Sequence, residues 1–186
     1  MKLKKANAFF GLLTILLLLV HAGYEMVAYV KFLYNPFVTK LLSYLVLVAL
    51  LIHMVLGMSI MMFANEGTDL SKYPKDNKGT IIQRASAIAM MVLVFGHINS
   101  FAILNSHFGG VFSLIAAVLI QVLFFGAVFA HVGTSFSRAF VTSGLLSSME
   151  KKKVIDRIVW TLCAIAFVAI VIILTKTYIM LWSMPH

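Results

Sequence analysis

Four histidines lie inside four different long apolar stretches of this sequence: His21, His53, His97 and His131. Each has a glycine within one helical turn, at Gly23, Gly57, Gly96 and Gly133. The setting is plainest at Leu50-Leu51-Ile52-His53-Met54-Val55-Leu56-Gly57-Met58, where one imidazole interrupts an otherwise apolar run. A histidine in hydrocarbon is costly, so it is expected to face a polar partner, a cavity or a metal. Neutral imidazole carries one N–H and one lone pair. The chemistries open to it are therefore metal ligation, proton relay and interhelical hydrogen bonding. A glycine beside the ring removes a side chain and leaves room for a bulky group.

Those rings need elements to hold them. With 62% hydrophobic and 11% charged residues and a mean hydropathy of +1.02, the chain lacks the polar exterior of a soluble domain. Its 186 residues leave room for five membrane spans of about 20 residues each and no soluble catalytic domain. The lone cysteine, Cys163, excludes an internal disulfide and any cysteine-held zinc or iron–sulfur site within this chain; it reads as a small core residue.

The expected fold is an all-α bundle of five transmembrane helices in one domain, with spans at about 8–30, 38–63, 81–104, 111–134 and 154–182. The basic start could open a signal peptide, but hydrophobicity runs on to Val30 without an A-x-A site, so a retained helix is expected. Asn35-Pro36 breaks the first span from the second. Asn65 to Thr80, with Tyr73-Pro74 and Lys78-Gly79, reads as a surface loop. Asn105-Ser106-His107 with Gly109-Gly110 reads as a turn, and the fourth helix is expected to continue toward Ser143. Trp182 is placed to sit at a membrane interface.

Charge sets the orientation. The net charge of +9 comes from basic residues clustered at the ends of apolar runs, which is a membrane pattern and argues against nucleic-acid binding. Of the 15 lysines and arginines, all but Lys31, Lys40 and Lys176 fall on one side of alternating spans. The N-terminus is thus expected in the cytoplasm and the C-terminus outside. With that topology, His21 lies roughly 20 Å, His97 roughly 24 Å, His53 roughly 15 Å and His131 roughly 10 Å above the inner boundary. They sort into an outer pair, His21 with His97, and an inner pair, His53 with His131.

Two layers of two histidines suit two bis-histidine haems, since haem iron takes axial ligands from opposite sides. A single zinc ion does not suit four ligands spread over two depths. Hydrogen-bonding histidines that join helices are the plainer alternative. His107, in the turn, and His186, at the end, read as solvated.

The run Ile52-His53-Met54-Val55-Leu56-Gly57, the Tyr73 loop, Gln83-Arg84 and Val94-Phe95-Gly96-His97, with Phe129-Ala130-His131-Val132-Gly133 and Ser135-Phe136, carries a resemblance. It resembles the five-helix, dihaem cytochrome b membrane anchor of succinate dehydrogenases and fumarate reductases. The likeness spans the chain from about His21 to the fifth helix and rests on the order of the histidines. It departs at the start, where Lys4-Lys5-Ala6-Asn7 replaces the family's arginine and histidine. The resemblance implies two haems b, ligated by His21 and His97 (outer) and His53 and His131 (inner). It also implies a membrane quinone, expected to be menaquinone, and a flavoprotein and an iron–sulfur subunit on the cytoplasmic face of a bacterial inner membrane. Arg84, at the cytoplasmic start of the third span, is then the expected partner of an inner-haem propionate. Its simpler reading is a positive flank. Glu25, four residues from His21 on the same helix face, is the expected proton carrier for quinone, or else an interfacial carboxylate paired with Lys31. Two other readings stay open: the cytochrome b anchor of a hydrogenase or formate dehydrogenase, or a transporter or scaffold without haem.

Overall fold

The structure, a computed structural model, describes residues 2–31, 33–63, 74–105 and 110–183, with the side chains at 74–76, 101, 104 and 105 outside that description. It is all-helical: α1 (Lys2–Lys31), α2 (Pro36–Phe63), α3 (Pro74–Asn105), α4 (Val111–Ser143) and α5 (Met149–Ser183). All five are long and apolar enough to cross a membrane. This is the build of a multi-pass membrane protein.

Local chemistry fixes the helix ends. Asn35 caps α2, its side-chain oxygen accepting from the amides of Phe37 (3.0 Å) and Val38 (3.3 Å), with Pro36 at the first helical position. The amide of Asn35 in turn donates to the Tyr24 hydroxyl at 3.2 Å, tying the turn back onto α1. Helix α4 does continue to Ser143. It ends in a Schellman motif at Gly144 (φ +81°), with Gly144 N–H on the Val141 carbonyl at 3.1 Å and Leu145 N–H on that of Phe140 at 3.0 Å. The expected loop from Asn65 to Thr80 is corrected in part. Pro74 starts α3, so residues 74–80 are helical, because proline at the first position of a helix lacks only a hydrogen bond it could not make. Residues 64–73, with Glu66, Asp69, Lys72 and Tyr73, lie outside the described residues, as do His107, Gly109 and His186.

The chain divides into two compact units. The first spans Met1–Ile81 and Thr134–Ile158, the second Ile82–Gly133 and Val159–His186. In the first, α1 and α2 form an antiparallel hairpin whose buried positions are Ala8, Thr14, Ala28 and Ala49. In the second, Ala117, Leu174 and Tyr178 form a core against which Phe125 and Trp182 pack. Trp182 is therefore half-buried in protein rather than only a membrane-surface anchor. Cys163 is buried and free, as a small core residue should be. The buried set is rich in Ala, Ser and Thr while Leu19, Val27, Phe95, Leu123 and Ile172 face outward, the arrangement of helices packed in lipid.

Candidate functional site

In the first unit, His53 of α2 reaches across to α1. Its Nδ1 lies 3.1 Å from the backbone carbonyl oxygen of Asn7. That oxygen can only accept, so Nδ1 carries the hydrogen and donates, which leaves Nε2 as the basic nitrogen. The ring lies over Gly11, where a Cβ would come within 3.0 Å of Cε1. One turn along α2, Gly57 faces the Asn7 side chain, with a Cβ position 3.7 Å from its Oδ1. Residues four apart on each helix thus interlock, which sets the register of the hairpin.

That register places Ser43 level with His21, and Thr39 level with Glu25. Here the polar groups are unsatisfied: Nδ1 of His21, Oε1 of Glu25 and Oγ1 of Thr39 are buried without a hydrogen-bond partner. Among the described residues Glu25 has no ion-pair partner, and Lys31 is exposed. An orphaned buried polar atom costs about 1–3 kcal/mol, so three of them at one end of a hairpin mark a place where a ligand's polar groups would be welcome. His21 stands ten to fourteen residues along α1 from the Asn7–Gly11 stretch beside His53, roughly 15–20 Å at the helical rise.

Among the described residues, the second unit also holds two histidines, well separated along its helices. His131 of α4 donates from Nδ1 to the backbone carbonyl of Gln83 on α3 at 3.0 Å, an oxygen that also receives the Ser86 hydroxyl at 3.1 Å. Arg84 follows Gln83 on the same turn and is half-buried, so the structure puts it level with His131. His97 of α3 sits elsewhere, with Nδ1 2.8 Å from Oε1 of Gln121 on α4. Its ring stacks on Phe124 (centroids 4.4 Å apart, planes at 20°) and meets Phe125 edge-on at 5.7 Å. From Gln121 to His131 is ten residues of α4, roughly 15 Å.

Three of the four imidazoles are therefore held as the Nδ1–H tautomer by carbonyl oxygens. A metal-binding histidine needs this, since its second nitrogen must donate so that the other can bind. The fourth, His21, has a buried Nδ1 awaiting a partner. The donor set fits haem iron. Among the described residues no three His, Cys, Asp or Glu side chains gather as a metal cluster.

The glycines do not act as the sequence led us to expect. A Cβ on Gly96 would lie 2.7 Å from Cγ2 of Ile120, and one on Gly133 would lie 2.7 Å from Cε2 of Trp160. These two glycines make room for side chains of neighbouring helices rather than for a bulky ligand, because small residues let membrane helices approach closely. Gly23 alone of the four has open space beside it.

Sequence reasoning also missed polar groups of consequence. Gln121 is 3% exposed and belongs to a network with Ser100 and Tyr178, both 0% exposed. A single amide in the middle of an apolar span was a legible signal. In the first unit, Arg138 donates to the Thr80 hydroxyl at 3.0 Å and lies across Gly79, where a Cβ would come within 2.6 Å of Nη2. Beside it Ser137 donates to Asp156, which also takes Lys152 Nζ at 2.6 Å. No protein-family model, no curated protein and no solved structure matches the chain.

Proposed function

We propose that this chain is the haem b membrane anchor of a succinate dehydrogenase or fumarate reductase, oriented with its N-terminus in the cytoplasm of a bacterial inner membrane. One observation carries the reading: each compact unit holds two histidines roughly 15 Å or more apart along its helices, and three of the four donate Nδ1–H to a carbonyl. His21 and His97 are assigned to the outer haem, His53 and His131 to the inner.

Haem b, when bound, supplies one-electron transfer between an iron–sulfur subunit on the cytoplasmic face and a membrane quinone, expected to be menaquinone. The residues of this chain supply the setting. The acceptors on Nδ1 fix ring orientation and raise the basicity of Nε2. Arg84, level with His131, is the residue assigned to an inner propionate. Glu25, with its buried unpaired oxygen, is the group to pass protons to a quinone being reduced or to take them from a quinol being oxidised, and Thr39 offers a hydroxyl at the same level. Dicarboxylate chemistry belongs to the partner flavoprotein.

A pyridine haemochrome assay on the purified chain tests this, with two haems b per polypeptide expected. A chain extracted from its own membrane with no haem would end the proposal in favour of a scaffold or transporter. Co-purification of a subunit with covalent flavin separates this anchor from those of hydrogenases and formate dehydrogenases.

A further inference from the structure

The most deeply buried polar side chains of the second unit gather around one histidine. We propose that Gln121 is a positioning residue for His97: its side-chain carbonyl holds the ring as the Nδ1–H tautomer and aims Nε2, while Ser100 and Tyr178 hold the amide. The part concerning iron rests on the function proposed above; the part concerning the tautomer rests on the hydrogen bonds alone.

The assignment of hydrogens follows from groups with only one possible role. The amide nitrogen of Gln121 lies 3.3 Å from the backbone carbonyl of His97, which can only accept, so the NH2 end faces that oxygen and Oε1 faces the ring. The contact at 2.8 Å between Oε1 and Nδ1 is then donated by His97. Ser100 donates to the same His97 carbonyl at 2.8 Å. With its one hydrogen committed, it receives that of Tyr178 across 2.8 Å. The two N–H bonds of the Gln121 amide complete the cluster, shared among the His97 carbonyl, Ser100 and the Tyr178 oxygen that surround its nitrogen. Helices α3, α4 and α5 each contribute, so the direction of the His97 ring is set by three helices. Phe124 and Phe125 restrict the remaining tilt.

The His97 carbonyl admits only one sense of the amide, with its nitrogen toward that oxygen. The observed one puts an acceptor on the nitrogen that must not bind metal. Loss of that acceptor frees the ring to take the Nε2–H tautomer, which cannot ligate through Nε2.

The test uses the full chain, labelled with ¹⁵N-histidine, in lipid bilayers, with His97→Gln to assign the His97 signals by difference. In the unsubstituted chain His97 should show a protonated Nδ1. Gln121→Leu should abolish that signal or move it to the Nε2–H pattern, and Gln121→Glu should keep it and shift it downfield, since a carboxylate is the stronger acceptor. In haem-loaded membranes Gln121→Leu should shift the outer haem's low-spin EPR signal and raise its midpoint potential, with Gln121→Glu moving the potential the other way. Unchanged His97 resonances in Gln121→Leu would overturn the proposal. Should that variant not accumulate, a Gln121→Glu chain with unmoved Nδ1 resonance overturns it equally. A chain that holds no haem but shows the Nδ1–H signal, sensitive to Gln121, would remove the functional reading and leave this one standing.

Discussion

The two compact units hold their histidines by different means. In the first, His53 leans on a main-chain oxygen, that of Asn7, and the helices meet through the interlocked Gly11 and Gly57. At the turn end of that hairpin, His21, Glu25 and Thr39 leave polar atoms buried and unmatched. In the second, His97 is held by a side-chain network in which each donor finds an acceptor. A main-chain acceptor survives any substitution of the residue that bears it; a side-chain acceptor does not. The satisfied network is a finished piece of structure, whereas the orphaned atoms point to something that completes them.

The largest test of this contrast removes the rings themselves. His21→Ala, His53→Ala, His97→Ala and His131→Ala should each cost the chain one haem equivalent by pyridine haemochrome. Retention of both haems in any of the four would take that residue out of the site. Next come the close approaches. Gly96→Ala and Gly133→Ala each force a stiff side chain aside in the second unit and should cost about 1–3 kcal/mol in bicelle unfolding. Gly23→Ala, which meets nothing within 4 Å, should not.

A third comparison concerns chemistry rather than stability. Glu25→Gln should slow quinone turnover while leaving the haem spectra intact, and Thr39→Val should do so less; normal turnover in Glu25→Gln would remove the proton role. The smallest effect is expected at Asn7. Because His53 uses its backbone, and its side-chain Oδ1 is itself unpartnered, Asn7→Ala should change stability by no more than about 0.5 kcal/mol and leave the inner haem spectrum alone.

Much of this was written in the residue order. Asn35-Pro36 announces both the end of one helix and the cap of the next, and the basic run after Glu150 marks the start of α5. The histidines declared themselves because few side chains are so out of place in an apolar span. The start of α3 was misread because Tyr73-Pro74 serves a turn and a helix start alike, and only the following residues' packing decides between them. Gly96 and Gly133 were misjudged for a deeper reason. A glycine announces a gap, but what fills it depends on which helix lies opposite, and Ile120 and Trp160 are far from obvious partners along the chain. Gln121 was legible as an oddity, yet its orientation came only with Ser100 and Tyr178 beside it.

Many of the buried positions described are held by Ala, Ser and Thr, beside a few large side chains such as Phe124, Leu174 and Tyr178, while most of the large apolar side chains look outward. The usual map of mutational tolerance is thereby shifted toward the small residues. Exchanges among Leu, Ile, Val, Phe and Met along the outer faces meet only acyl chains, which have no fixed shape to contradict. An added methyl at Ala117 or Ala49, each almost wholly enclosed, meets protein on every side. In a saturation screen, Ala49 and Ala117 should therefore be less tolerant than the bulky residues of the outer faces.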